Sequence, residues 1–179
     1  MRLLSLDTSF SSVNLTLIED GRVVLHHYVD DGKKTLEHLP LLLTRLGIQA
    51  QEMDAFAVSL GVGYLTPLRI GITFMKTIAY LSQRPIVGYE NLSLMCEFTK
   101  NAKKVALKVS HNIFCKSCKE GNIEVLKDPE GLSQVVGLED LVFFPFSLHG
   151  GLWAYRKLRE GYIGDDPIRL EPIYLRDPT

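Results

Sequence analysis

Cysteine is scarce in these 179 residues: there are three, Cys96, Cys115 and Cys118. An odd number does not complete a disulfide framework, so reduced thiols in a cytoplasm are expected. Cys115-Lys-Ser-Cys118 has the spacing of half a zinc site, but no second Cys or His pair follows at zinc-ribbon distance. The segment reads as a strand, where residues three apart point to opposite faces. Neither a shared metal nor a Cys115–Cys118 disulfide is therefore expected. No charge of one sign dominates: 20 Lys and Arg face 21 Asp and Glu, for a net charge of −1. A general field for nucleic acid or an anionic membrane is excluded by that balance. No apolar run is long enough to span a bilayer, and Met1 leads into a strand-like run without the features of a signal peptide. What is present is 46% hydrophobic and 23% charged residues, the makeup of a soluble globular protein. The length suits one domain or two small lobes with a real core.

The stretch Leu60–Leu81 organises the chain. A buried strand, Ala55–Ser59, runs into two glycines, Gly61 and Gly63, and Thr66-Pro67 then starts a helix. Strand, glycine loop and helix N-terminus can cradle an anion. The same layout also turns the corner in any α/β domain, and this one matches neither a full Walker A nor Gly-x-Gly-x-x-Gly. On a wheel of 100° per residue, Leu68, Ile70, Ile72, Phe74, Met75, Ile78, Ala79 and Leu81 cover roughly 200°. A surface helix needs an apolar stripe only about 100° wide. This helix thus has two apolar faces to bury, and one of them awaits the middle of the domain or a partner.

The rest of the chain reads as alternating elements. Arg2–Asp7 is a buried strand, and Val13, Leu15 and Leu17 alternate with Asn14 and Thr16 as in a half-buried one. Asp20-Gly21 signals a hairpin to Val23–Val29. Asp30–Lys34 is a polar loop. Thr35–Leu46 is a leucine-rich helix with Pro40 inside and Gly47 at its end. Pro85–Gly88 is a strand, and Asn91 caps a helix to about Thr99. Beyond Lys103 come strands at Val105–Val109, Ile113–Lys119 and Ile123–Leu126, with a hairpin at Gly121-Asn122 and a turn at Asp128–Gly131. Leu141–Phe146 reads as a buried strand, Gly150-Gly151 as a breaker with His149 in its loop, and Leu152–Glu160 as a short helix. The tail Ile168–Leu175 is extended by Pro172. A boundary between a first unit, 1–100, and a smaller second one, 101–179, falls near Thr99–Lys104.

Four segments, in order, resemble the TsaB (YeaZ) family. They are the strand ending in Asp7-Thr8-Ser9, the central stretch, Pro85-Ile-Val-Gly before Asn91-Leu92, and the ending Pro172-Ile-Tyr-Leu-Arg176. The central stretch is similar to that family's Gly-Pro-Gly-Ser-Phe-Thr-Gly-Leu-Arg-Ile-Gly, with Gly61, Gly63, Thr66, Leu68, Arg69, Ile70 and Gly71 matching. It departs at Val62, Tyr64, Leu65 and Pro67. The resemblance implies an α/β, actin-like ATPase (ribonuclease H-like) fold: two lobes, each a mixed sheet flanked by helices, the second abbreviated. It implies a non-catalytic role beside the paralogue TsaD, which installs threonylcarbamoyl on an adenosine of tRNA. Docking would run through the helices Thr35–Leu46 and Thr66–Leu81, so Leu42, Leu46, Leu68, Ile72, Phe74, Met75 and Ile78 are the interface candidates. At least two of Leu68, Ile72, Phe74, Met75 and Ile78 should then be solvent-exposed in the isolated chain. Asp7, Thr8, Gly61, Gly63, Thr66 and Arg69 would be a vestigial nucleotide loop. Further implied partners are a TsaE-type ATPase and a second copy of the chain; tRNA is met only indirectly and a membrane not at all.

The alternative is an enzyme: a degenerate nucleotide-binding phosphotransferase working through Asp7, Thr8, Gly61 and Gly63, or a glycoprotease-like hydrolase. No nucleophile–base arrangement stands out in the sequence. The catalytic paralogue carries a His-x-x-x-His metal pair, and His26, His27, His38, His111 and His149 are not so spaced. No cofactor or metal is expected.

Overall fold

A computed structural model describes residues 1–10, 12–29, 35–127, 135–136 and 144–175. It opens with three strands, β1 (Arg2–Asp7), β2 (Val13–Glu19) and β3 (Arg22–Val29). Asp20 and Gly21 join β2 to β3 with φ of 48° and 79°, the double left-handed turn that an Asp-Gly pair supplies. Helix α1 (Thr35–Arg45), strand β4 (Ala55–Gly61), helix α2 (Leu65–Ser82), strand β5 (Ile86–Glu90) and helix α3 (Asn91–Phe98) follow. The five strands form one mixed sheet in the order β3-β2-β1-β4-β5. β4 lies parallel to β1, with Leu3 opposite Ala55 and Leu6 opposite Val58, as the element order predicts. A second sheet, ordered β8-β7-β6-β9, comprises β6 (Lys104–Val109), β7 (Asn112–Ser117), β8 (Ile123–Leu126) and the two-residue β9 (Val135–Val136).

The strand period of two divides the first sheet's side chains between two cores. Leu4, Leu6, Leu15, Leu17, Phe56 and Val58 face α1 and α2. Leu3, Ile18, Ala55, Ala57, Val87 and Tyr89 face α3, helix α4 (Phe146–Arg159) and the second sheet. β2 is buried on both faces rather than one. Asn14 and Thr16 are covered because α4 lies over them, and Thr16 Oγ1 meets Ser147 Oγ at 2.7 Å.

Helix α4 corrects the reading of Gly150-Gly151. The glycines lie inside the helix and break nothing. A Cβ at Gly150 would overlap the Tyr89 ring, and one at Gly151 would lie 2.7 Å from Ile18 Cδ1 and 2.9 Å from Ser5 Cβ. They let α4 approach the sheet more closely than any other residue would permit. His149 accordingly sits on a helix turn, not in a loop, with its ring 4.5 Å from Phe98 and 4.6 Å from Phe144. Phe146 starts this helix, so it does not end a strand. Residues 141–143, the turn expected at Asp128–Gly131 and the loop at Asp30–Lys34 lie outside the described residues.

The cysteines also depart from expectation. Cys96 on α3 is disulfide-bonded to Cys118, just past β7, while Cys115 is free and buried. Cys115 and Cys118 do not pair, in line with their strand spacing. Cys118 finds a partner because α3 packs against β7, a contact that no sequence spacing reveals.

Candidate functional site

The glycine loop is closed on itself. β4 ends at Gly61, whose φ of 107° suits glycine alone. Tyr64, not Thr66, stands at the N-cap of α2, and it makes no side-chain cap bond. Tyr64 N donates to Ser9 O at 2.7 Å, and a Cβ on Gly63 would lie 2.6 Å from Ser9 Cβ. Thr8 Oγ1 donates to Pro67 O at 2.7 Å, and Thr8 leaves Gly71 no room for a side chain. The first loop and the glycine loop are thus packed together, and the protein's own atoms fill the gap between them.

Asp7 belongs to the same arrangement. Its carboxylate is 1% exposed and accepts hydrogen bonds from Ser9 N at 3.0 Å and from Ser9 Oγ. Burial pushes the carboxyl above its usual range, and the Ser9 bonds oppose that push. Asn91, read from the sequence as a helix cap, instead turns its side chain inward. Its Nδ2 donates to Ser9 Oγ at 2.8 Å and to Val62 O at 3.3 Å, and its Oδ1 accepts from Ser59 Oγ at 2.8 Å. Asp7, Ser9, Ser59 and Asn91 are all buried and join β1, β4 and α3. Asp7, Thr8, Gly61 and Gly63 do come together, then, as an internal polar joint. The sequence reading missed Ser59 and Asn91 as members of it, since three distant segments supply them.

Thr66 and Arg69 lie apart from the joint and are exposed. Arg69 Nε is 3.3 Å from Tyr174 Oη, and its guanidinium stands 5.6 Å from that ring's centre. The tail is further held by Ile173 N donating to Leu60 O at 2.8 Å. It forms no strand and packs across the start of α2. Thr66, Tyr64, Asn112, Phe114 and Tyr174 line a cavity of about 400 Å³ between α2, the β6–β7 turn and this tail. No charged side chain lines it. Among the described residues, no group of three or more His, Cys, Asp or Glu is placed to hold a metal ion.

The helix faces separate the interface candidates into two groups. Leu68, Ile72 and Met75 are 1%, 2% and 0% exposed, and Leu42 is 9% exposed. Leu42, Ile72 and Met75 are consumed by the core under α1 and α2, and Leu68 is buried against Gly61 at the end of β4. Phe74, Ile78 and Leu46 are half-buried against the rim of that core. Of Leu68, Ile72, Phe74, Met75 and Ile78, at least two of which are expected to be solvent-exposed, Phe74 and Ile78 are half-buried and the other three are buried. Leu81 and Leu41, which the sequence reading left out of the candidate set, are 76% and 52% exposed. With Ile70, also half-buried, the residues Ile70, Phe74, Ile78 and Leu81 form a stripe on α2 spaced by four, four and three. That spacing is one helix face, and it could have been separated from the core stripe on the wheel.

A sequence profile of the family described as "TsaD: tRNA N6-adenosine threonylcarbamoyltransferase" matches residues 34–112. The tRNA threonylcarbamoyladenosine biosynthesis protein TsaB of Escherichia coli is 30% identical over 100 residues, covering 54% of this chain and 43% of that protein. The tRNA N6-adenosine threonylcarbamoyltransferase of Thermus thermophilus is 29% identical over 111 residues, 51% of this chain and 34% of that one. The chain thus aligns with less than half the length of either relative. The solved structure of YeaZ from Pseudomonas aeruginosa superposes with a TM-score of 0.71 at 20% identity, covering 97% of this chain and 99% of that one. No described helix is long and apolar enough to cross a membrane. The chain therefore has the α/β fold of YeaZ and is similar in sequence to TsaB and, across residues 34–112, to the TsaD transferases.

Proposed function

We propose that this chain is a non-catalytic subunit of the cytoplasmic apparatus that forms threonylcarbamoyladenosine in tRNA. It binds a TsaD-type transferase through α1 and α2 and leaves the chemistry to that enzyme. The observation that carries the reading is the apolar stripe of α2, with Ile70, Phe74 and Ile78 half-buried at the rim of the core and Leu81 exposed, together with the exposed Leu41 of α1. Burying one such side chain contributes roughly 1.5–3 kcal/mol, so a few suffice for a helix–helix contact. The packed loops add support. An Asp7 turned into its own polar joint is not presented to a metal-bound phosphate, which needs ligands converging on an open site. The similarity to TsaB supplies the pathway.

In the absence of the transferase the same face would pair two copies of this chain, and a TsaE-type ATPase would join the assembled pair. The test is reconstitution: the organism's TsaD-type transferase with its substrates and tRNA, with and without this chain, read by nucleoside mass spectrometry. The modified adenosine should rise at least tenfold when the chain is present. Equal yields in both, or modification by this chain alone, would overturn the proposal.

A further inference from the structure

The Cys96–Cys118 bond joins two parts of the molecule that are otherwise held by side chains. α3 follows the last strand of the first sheet, and Cys118 follows β7 of the second. Beside the disulfide lies a polar tie, Lys116 Nζ reaching Glu90 Oε2 at 2.6 Å and Ser93 Oγ at 2.8 Å, and Leu92, Leu94 and Met95 of α3 share a buried cluster with Val105, Leu107 and Phe114. Both bonded cysteines are half-buried and pack against the edge of the core between α3 and the second sheet. Cys118 N also donates to Lys103 O at 3.0 Å, which fixes the backbone at the end of β7. Thiol–disulfide exchange needs access of the attacking thiolate to a disulfide sulfur, so a bond between half-buried cysteines is open to it where a fully buried one is not.

We propose that Cys96 and Cys118 form a reversible thiol–disulfide switch that sets how firmly the second sheet is fastened to α3. The inference rests on the role proposed above only for its compartment: inside a cell, a disulfide is ordinarily transient and redox-sensing. The co-reactant is a low-molecular-weight thiol such as glutathione. Its thiolate attacks one sulfur, the protein's S–S bond breaks, and the other cysteine leaves as a thiolate that takes up a proton. A second glutathione thiolate attacks the mixed disulfide and releases the first cysteine. Two glutathiones are oxidised to glutathione disulfide, and the protein gains two electrons and two protons. Reduction leaves the Lys116–Glu90 tie in place, so β6–β8 loosen without coming away, and the β6–β7 side of the 400 Å³ cavity loosens with them. Cys115 takes no part. It is 1% exposed on the other side of β7, and burial pushes its thiol above the usual range.

The full-length protein is incubated in glutathione buffers from fully oxidised to fully reduced, alkylated, and read by mass spectrometry, with hydrogen exchange measured at both ends. In the oxidised sample no cysteine should be alkylated before unfolding. In the reduced sample Cys96 and Cys118 should react while Cys115 stays protected. Exchange in β6–β8 should speed up at least tenfold on reduction, and the core of the first sheet should not change. Cys96→Ser should show the fast pattern in both buffers. If that variant does not fold, the reduced wild type decides alone. Two reactive thiols in the oxidised sample, or the same exchange map in both buffers, would overturn the switch. Loss of transferase binding in both redox states would overturn the proposed function and leave the switch standing.

Discussion

Helices α2 and α4 lie on opposite faces of one sheet, and they are finished differently. α4 is sunk into the sheet at Gly150 and Gly151 and bonded to it through Ser147. Its outer face carries its own cations over aromatic rings: Arg156 stands 5.4 Å from the ring centre of Phe98 on α3, and Lys157 stands 5.8 Å from that of Trp153 on α4 itself. α2 presents Ile72, Met75 and Ala79 to the sheet and still carries Ile70, Phe74 and Ile78, half-buried, and Leu81, exposed. Apolar content alone does not distinguish a helix that is complete from one that awaits a partner. What does is whether the outer face keeps its own cover.

The sharpest way to break this contrast is inside the core. Met75 is fully buried, so Met75→Ala should cost about 2–5 kcal/mol. By thermal denaturation that is a fall in Tm of roughly 4–20 °C. A cost under about 1 kcal/mol would mean that α2 is not seated on this stripe.

On α4, Gly150→Leu should cost nearly as much. Overpacking against the Tyr89 ring costs about 3 kcal/mol, while the gain in helix propensity returns only about 0.8 kcal/mol. Leucine is the better helix former, so a stabilised variant would show that α4 does not lie close to the sheet. The same helix gives a smaller pH effect. Desolvation holds the His149 ring below its usual range, and its Nδ1 has no hydrogen-bond partner among the described residues. A neutral ring is favoured in the folded state, so this contribution is present above the ordinary value of 6.5 and is lost as pH falls below it. His149→Phe should flatten the acid side of a denaturant-monitored stability profile; an unchanged slope would contradict the burial.

Asp7 runs the other way. Its folded carboxyl is raised, so the folded state holds a proton that the unfolded chain releases. Stability therefore falls as pH rises from the unfolded value, 3.8, toward the raised folded one. Asp7→Asn keeps the oxygen that accepts from Ser9 and removes the buried charge. The variant should be at least as stable as wild type at neutral pH, with a flatter slope above pH 4. A marked loss of stability there would show that the charge itself holds the joint.

The sequence shows these regions unequally. The Asp20-Gly21 turn and the parallel β1–β4 pair are legible, because turn chemistry and element order are local signals. The glycines of α4 are misread because their meaning depends on Tyr89, Ile18 and Ser5, residues distant in the chain. Asn91 looks like a cap for the same reason: its partners Ser9, Ser59 and Val62 come from other segments. Sequence spacing relates Cys118 only to Cys115, its neighbour in the chain, whereas folding brings it to Cys96. The two apolar faces of α2 are legible from the wheel, but not which residues belong to which face until the sheet is in place.

The central claim is that the outer face of α2 binds a transferase. The direct measurement is calorimetric titration of the TsaD-type transferase with wild type, Phe74→Asp and the control Val24→Asp, whose side chain is 51% exposed on β3. Circular dichroism should show all three folded. Wild type and Val24→Asp should bind alike, while Phe74→Asp should lose at least about 30-fold in Kd, the effect of removing one hot-spot residue. Equal affinity for a folded Phe74→Asp variant would contradict the claim.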